Sequence, residues 1–330
     1  MREPERTSEY RKDPEQEQRL KKLNELLAPL EERLVVCSFS KPQLPIVFIV
    51  GVPRSGSTLL VQILAKAGVF SYVSNFVARF WKAPYVGMLI EDVLDIRRSQ
   101  RERSFVSRFG VAEGWTGPHE FGYFWSRWFH FGETHKLGVQ ELAEIDRDLL
   151  QKELAALESV YNKSLLFKNM TCGLQIPFLA ELFEKSIFVL CCRRPLYNMQ
   201  SLLLAREKIL GSKHYWWSLR PKEYPELLSL SPYEQVAGQM YYILKDIKTS
   251  FSSLSPGRFL QIRYDDLCSQ PRAEVSRVIK AVRQMGTIVD WKLDAIPEQF
   301  KSTDTQRVSD EEFRELREAA KRYFESNEIE

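Results

Sequence analysis

The chain has 330 residues, with 47 Lys and Arg against 44 Asp and Glu, 44% hydrophobic and 28% charged. This balance excludes a disordered chain, a collagen-like fibre and a disulfide scaffold, and it leaves room for a large core. The net charge of +3 conceals an asymmetry: residues 1–40 and 303–330 hold 13 basic and 18 acidic side chains, so the remaining 34 and 26 give residues 41–302 a charge of +8.

A basic body between acidic ends is either the mark of an anionic ligand or a solvated surface of uneven sign. The basic residues are scattered and no nucleic-acid module is recognisable, so nucleic acid is not expected as a partner. The five cysteines, Cys37, Cys172, Cys191, Cys192 and Cys268, are odd in number and form no Cys-x-x-Cys pair. They read as free thiols of a reducing, cytoplasmic compartment. No apolar run is long enough for a membrane span, and the polar start Met1–Gln18 lacks the apolar stretch of a secretory leader.

In chain order, residues 1–13 carry no periodic pattern and are expected to lack structure. Leu20, Leu23, Leu26, Leu27, Leu30 and Leu34 then recur at helical spacing. They predict an amphipathic helix over Glu15–Val35, packed by its leucines on the body and kinked or split at Pro29. Leu44–Gly51 is a continuous apolar, β-branched run, as expected of a strand buried on both faces. A glycine turn follows, then a helix face of Leu59, Leu60, Ile63, Leu64 and Ala67. Further strands are predicted at Ser164–Phe167, Ile187–Cys192 and Arg258–Tyr264. Helices are predicted at Glu141–Val160, Ile176–Phe183, Leu196–Leu210 and Ser231–Phe251. Strands alternating with helices predict an α/β fold, a parallel sheet in three layers. Residues 1–40 read as a tail and helix, and 41–330 as a single domain with an aromatic-rich section at about 70–140, an insertion or a substrate-facing part.

The turn Gly51-Val-Pro-Arg-Ser-Gly-Ser-Thr58 has the spacing of a nucleotide P-loop, with Ser57 in the place of its lysine. Inward-pointing amides opening on a helix N-terminus suit a phosphate; the alternative is a helix merely capped by Ser55 or Ser57. Without that lysine, and without an acidic strand end to hold magnesium, ATP chemistry is poorly provided for and a metal-free mechanism is favoured. Pro53-Arg-Ser-Gly-Ser-Thr-Leu-Leu60 resembles the 5′-phosphosulfate loop of sulfotransferases, in the form of the carbohydrate and bacterial branches. The resemblance implies a P-loop-like fold and 3′-phosphoadenosine 5′-phosphosulfate (PAPS) as donor, leaving as 3′-phosphoadenosine 5′-phosphate (PAP). It assigns the donor's 5′ end to Arg54, Ser55, Gly56, Ser57, Thr58 and Leu59.

A second motif lies some 140 residues later. The strand ending at Cys192 runs into Arg193-Arg-Pro195, with Ser201 eight residues after Arg193. An arginine at a strand end and a serine on the next helix can converge on one phosphate. The family uses this pair for the 3′-phosphate; Arg194 is the neighbouring alternative, and register favours Arg193. Ile262-Arg-Tyr-Asp-Asp-Leu267 and Arg307-Val-Ser-Asp-Glu-Glu-Phe313 extend the likeness over roughly residues 44–325. The first of these reads as structural, and Ser309 with Glu312 predicts a capped helix start.

Sulfuryl transfer needs a clamped donor, cations at the leaving phosphate and a base for the acceptor. Arg54 and Lys168, the latter closing a strand, fit the second need. The base is open. The family's histidine two residues past the lysine is here Met170, and Val69–Phe76 contains no carboxylate. Glu113–Glu120 precedes a dense aromatic stretch and offers His119 first, then Glu120. His130, His135 and His214 have no comparable context. The aromatics, with Asn75, Arg79, Phe80, Trp81 and Tyr85, are expected to divide between core and the wall of a pocket. The expected acceptor is a carbohydrate, lipid or other small molecule bearing a hydroxyl or amine. A P-loop small-molecule kinase and a non-catalytic nucleotide-binding protein are the alternatives.

Overall fold

The computed structural model describes residues 4–99, 105, 107–108, 111–287 and 294–329. Its strands are β1 (Ile46–Gly51), β2 (Ser71–Tyr72), β3 (Ser107–Arg108), β4 (Val111–Ala112), β5 (Leu165–Lys168), β6 (Ser186–Cys192) and β7 (Phe259–Arg263). Five of them form one parallel sheet in the order β2-β5-β1-β6-β7, and β3 and β4 form a small antiparallel pair.

The sheet follows from the residues. β1 is paired along its length with β5 and β6 and is buried throughout, which is why it reads as an unbroken apolar run. Its side chains alternate between two cores. Ile46, Phe48 and Val50 join Phe167, Phe188 and Leu190 on one face, whereas Val47 and Ile49 join Leu166, Ile187 and Val189 on the other. The second face is covered by helices Ser57–Lys66 and Pro271–Gln284, the first by Arg147–Tyr161, Ile176–Leu182, Pro195–Leu210 and Pro232–Phe251. The three-layer α/β architecture is as expected. Because β1 has a neighbour on each side, the crevice at the C-terminal ends of β5, β1 and β6 is the natural ligand position.

Several expectations are corrected. Residues 4–13 are ordered: Thr7 donates to the carbonyls of Ile209 and Lys208, which the C-terminal end of helix Pro195–Leu210 leaves open. Helix Pro14–Ser38 runs unsplit through Pro29. Most of its leucines do not face the body; Leu20 and Leu27 are half-buried. Asn24, Glu31 and Val35 are its buried residues, and Leu23, Leu26, Leu30 and Leu34 are exposed. The helix foreseen over Glu141–Val160 is two, Val139–Ala143 and Arg147–Tyr161, because the Asp146 carboxylate accepts from the Leu149 amide and starts the second. Ser309 caps helix Asp310–Lys321 with Glu312, as its sequence suggests. All five cysteines are free. Among the described residues, no helix is long and apolar enough to cross a membrane.

Candidate active site

The turn after β1 is shaped by two close approaches. A side chain on Gly51 would meet the Cys191 carbonyl of β6 at 2.7 Å, and one on Gly56 would meet the Tyr264 ring at 2.5 Å. Gly56 also has φ 95°, so only glycine fits there without strain. Arg54 adopts φ 71°, an uncommon conformation for a residue with a side chain. Helix Ser57–Lys66 begins directly after Gly56, and neither Ser55 nor Ser57 caps it. The Ser55 hydroxyl is buried with no hydrogen-bond partner among the described residues. A buried, unmatched hydroxyl in a glycine turn at a helix N-terminus is the local chemistry of an anion cradle.

The second motif meets the first. Asn198, on helix Pro195–Leu210, donates to the Pro53 carbonyl at 2.8 Å. Arg54 Nε donates to Ser201 Oγ at 3.2 Å, and Arg193 donates to the Arg54 carbonyl at 3.2 Å. The Arg193 guanidinium lies 4.7 Å from the centre of the Tyr264 ring. Arg307 joins this group: burial lowers its pKa and that of Arg54, the latter to about 10, and Arg193 lowers both further. Three arginines held together in this way call for an anion. In the sequence Arg307 stands out only as part of a helix start. Tyr264, in a segment that reads as structural, packs between the turn and Arg193.

One carboxylate is already there. Arg193 reaches Asp304 from Nε at 2.6 Å and donates to Thr303 Oγ1 at 3.1 Å. Arg194 Nε reaches the other Asp304 oxygen at 3.2 Å. Residues 303–307 are fastened by Gln200, which donates to the Thr305 carbonyl and accepts from the Arg307 amide.

On the other side of β1, Lys168 closes β5 and is nearly buried. It is ion-paired to Glu120, whose side chain is 45% exposed. Asn169 donates to the Glu120 carbonyl at 3.0 Å and sets that residue's position. The Glu120 charge also raises the pKa of Arg54, against the burial and the Arg193 charge that lower it. His119 is tied differently. Its Nδ1 accepts the Phe121 amide at 2.8 Å, and burial pushes its pKa down to about 4. A neutral imidazole that accepts at Nδ1 carries its proton on Nε2 and offers no second lone pair. Met170 is packed in the core.

A cavity of about 740 Å³ opens beside His119 and Glu120, lined by Trp81, Trp115, Tyr123, Arg79 and Leu20 among others. A second, of about 540 Å³, opens at Arg193, Arg194 and Tyr264. The aromatic stretch divides between two roles. Phe121, Phe124, Trp125 and Phe129 are core, with Trp125 packed edge-on to Phe48 and Phe167. Trp81 and Tyr123, 4.8 Å apart, face the larger cavity. Among the described residues, no cluster of three or more His, Cys, Asp or Glu could hold a metal.

The sequence profile of the sulfotransferase family matches residues 45–283. The chain is 24% identical over 252 residues to omega-hydroxy-beta-dihydromenaquinone-9 sulfotransferase Stf3 of Mycobacterium bovis, and equally to that of Mycobacterium tuberculosis. The match covers 71% of this chain and spans 61% of the length of those relatives. In structure the chain is similar to sulfotransferase STF9 from Mycobacterium avium, with a TM-score of 0.52 at 16% identity, over 94% of this chain and 86% of that one. The matched span begins at β1 and includes the glycine turn, Lys168 and Arg193, and on that evidence the chain belongs to the sulfotransferase family.

Proposed function

We propose that the protein moves a sulfuryl group from PAPS to the hydroxyl of an apolar small molecule. The observation that carries this is that Arg54, Lys168 and Arg193 lie at the C-terminal ends of the neighbouring parallel strands β1, β5 and β6, Arg193 bonded to the Arg54 carbonyl and Lys168 paired to Glu120. PAPS bears charge at its 5′ phosphosulfate and at its 3′ phosphate. The cradle of Ser55, Gly56 and the helix N-terminus suits the first, and Arg193 with Ser201 and Arg307 the second. Asp304, already on Arg193, is the group such a phosphate must share that arginine with or replace.

The chemistry assigns each group a task. As the acceptor oxygen bonds to sulfur, its proton passes to the Glu120 carboxylate. The bond from sulfur to the phosphate oxygen breaks, and that oxygen keeps the electron pair. Lys168 and Arg54 balance the charge that grows there. His119, neutral and fixed by Phe121, does not take the proton. Trp81, Trp115 and Tyr123 give the acceptor cavity apolar walls. The relatives' names supply a compatible acceptor, a hydroxyl on a menaquinone.

The test is transfer of radiolabelled sulfate from PAPS to a panel of hydroxylated quinones, alcohols and sugars. Labelled product from an apolar alcohol, with PAP released in equal amount, supports the reading. Hydrolysis of ATP with magnesium and no sulfate transfer would replace it with the kinase reading.

A further inference from the structure

Helix Pro14–Ser38 is built with Asn24, Glu31 and Val35 inside, Leu20 and Leu27 half-buried beside them, and its other four leucines outside. Asn24 is fully buried, donating to the Arg79 carbonyl at 2.7 Å and accepting from the Lys82 amide at 2.8 Å. Glu31, 1% exposed, accepts from the amides of Tyr85 and Val86 at 2.7 and 3.0 Å. These four bonds fix the rotation of the helix about its axis. Turning the leucines inward would strip partners from two carboxamide atoms and two carboxylate oxygens. In the fixed orientation Leu23, Leu26, Leu30 and Leu34 are 38%, 68%, 46% and 36% exposed. Their spacing of three, four and four residues makes a continuous stripe of about 16 Å. A contiguous apolar stripe held outward by polar pins marks an interaction surface.

Charge and position identify the occupant. At about 100° per residue, exposed Arg19, Lys22 and Arg33 fall along one edge of the stripe. Glu15 shares that edge and is ion-paired to Arg19, so the net positive charge of the edge rests on Lys22 and Arg33, while Glu25 and Glu32 lie on the far side of the helix. An apolar stripe bordered by cations is the pattern of a helix lying in the head-group region of an anionic bilayer. The stripe also leads somewhere. Leu20, one turn before Leu23, lines the 740 Å³ cavity together with Lys12, Gln16 and Glu17.

We propose that helix Pro14–Ser38 docks the protein on an anionic lipid surface through Leu23, Leu26, Leu30 and Leu34, setting the mouth of the cavity against the bilayer. An apolar acceptor would then enter from the membrane; this last clause rests on the proposed function, whereas the docking does not.

The experiment is co-sedimentation of the full chain with vesicles of phosphatidylcholine, alone or mixed with phosphatidylglycerol, in the absence of any nucleotide. The protein is expected to pellet with the anionic vesicles and to remain largely in solution with the neutral ones. Leu26→Gln with Leu30→Gln should reduce the bound fraction at least about tenfold, with the melting temperature and the response to PAP unchanged, because both side chains face solvent. Lys22→Glu with Arg33→Glu, which leaves every leucine in place, should give a comparable loss. Absence of binding to anionic vesicles, or equal binding by the two leucine substitutions, overturns the proposal. So does a dimer in gel filtration that those substitutions convert to monomer, since the stripe would then belong to a second copy. Because no donor is present, failure here leaves the donor reading intact, and failure of donor binding leaves this result intact.

Discussion

Arg193 and Asp304 form a buried ion pair, their side chains 4% and 1% exposed, across 111 residues of sequence. A buried charge left alone is costly, so removing either partner destabilises the fold around the other. In the proposed function the same arginine binds the donor's 3′-phosphate. Arg193→Ala should weaken PAP binding by roughly 2–5 kcal/mol, read by calorimetry. Asp304→Asn should lower the melting temperature of the free protein yet tighten PAP binding, because a competitor for Arg193 is gone. An unchanged affinity in both variants would remove the 3′-phosphate from this site.

Glu120 and Lys168 separate chemistry from binding. Glu120→Gln should lower the transfer rate about a hundred- to ten-thousand-fold while PAP still binds. His119→Asn should do less, since its Nδ1 is committed to the Phe121 amide. Single-turnover transfer with preloaded donor distinguishes these. A larger loss at His119 than at Glu120 would exchange their roles.

The histidines set an acid limit. Burial pushes both His119 and His135 down to about 4, below the ordinary 6.5. The unfolded chain therefore binds protons first as pH falls, and stability present above about 6.5 is lost progressively toward 4. Melting temperatures between pH 4 and 7 should follow that slope, and His135→Asn should flatten it. For the same reason the transfer rate should show no His119 inflection near pH 6.5; one there would mean that His119 is exposed to solvent in the working enzyme.

Gly56 tests the cradle. A methyl group at this position meets the Tyr264 ring and sits on a backbone with φ 95°. Gly56→Ala should cost about 1–3 kcal/mol of stability and weaken PAP binding, measured by denaturant unfolding and calorimetry. Normal binding would mean that the turn does not touch the nucleotide.

The central strands were legible because burial on both faces leaves an unbroken apolar run, as in Ile46–Gly51 and Ser186–Cys192. The two motifs that meet at Arg54, Ser201 and Arg193 were legible because each is a short run of neighbouring residues. What could not be read depended on distant partners. Asn24 and Glu31 take the inner face of their helix only because amides and a carbonyl of residues 79–86 await them. Asp304 and Arg307 join the arginine cluster through a segment fastened by Gln200. The bond from the Phe121 amide to His119 Nδ1, on which the proposed preference for Glu120 rests, also leaves no mark in the sequence. β2, two residues long, is a strand only because β5 lies beside it.

The central claim is that this crevice recognises a nucleotide with a 3′-phosphate. The most direct measurement is the melting temperature of the protein with PAP, and with ADP at the same concentration. Both nucleotides carry two phosphates, but only PAP places one at the 3′ position. The account predicts a rise with PAP that ADP does not match and that Arg193→Ala abolishes. Equal shifts from the two nucleotides, or a PAP response that survives Arg193→Ala, would contradict it.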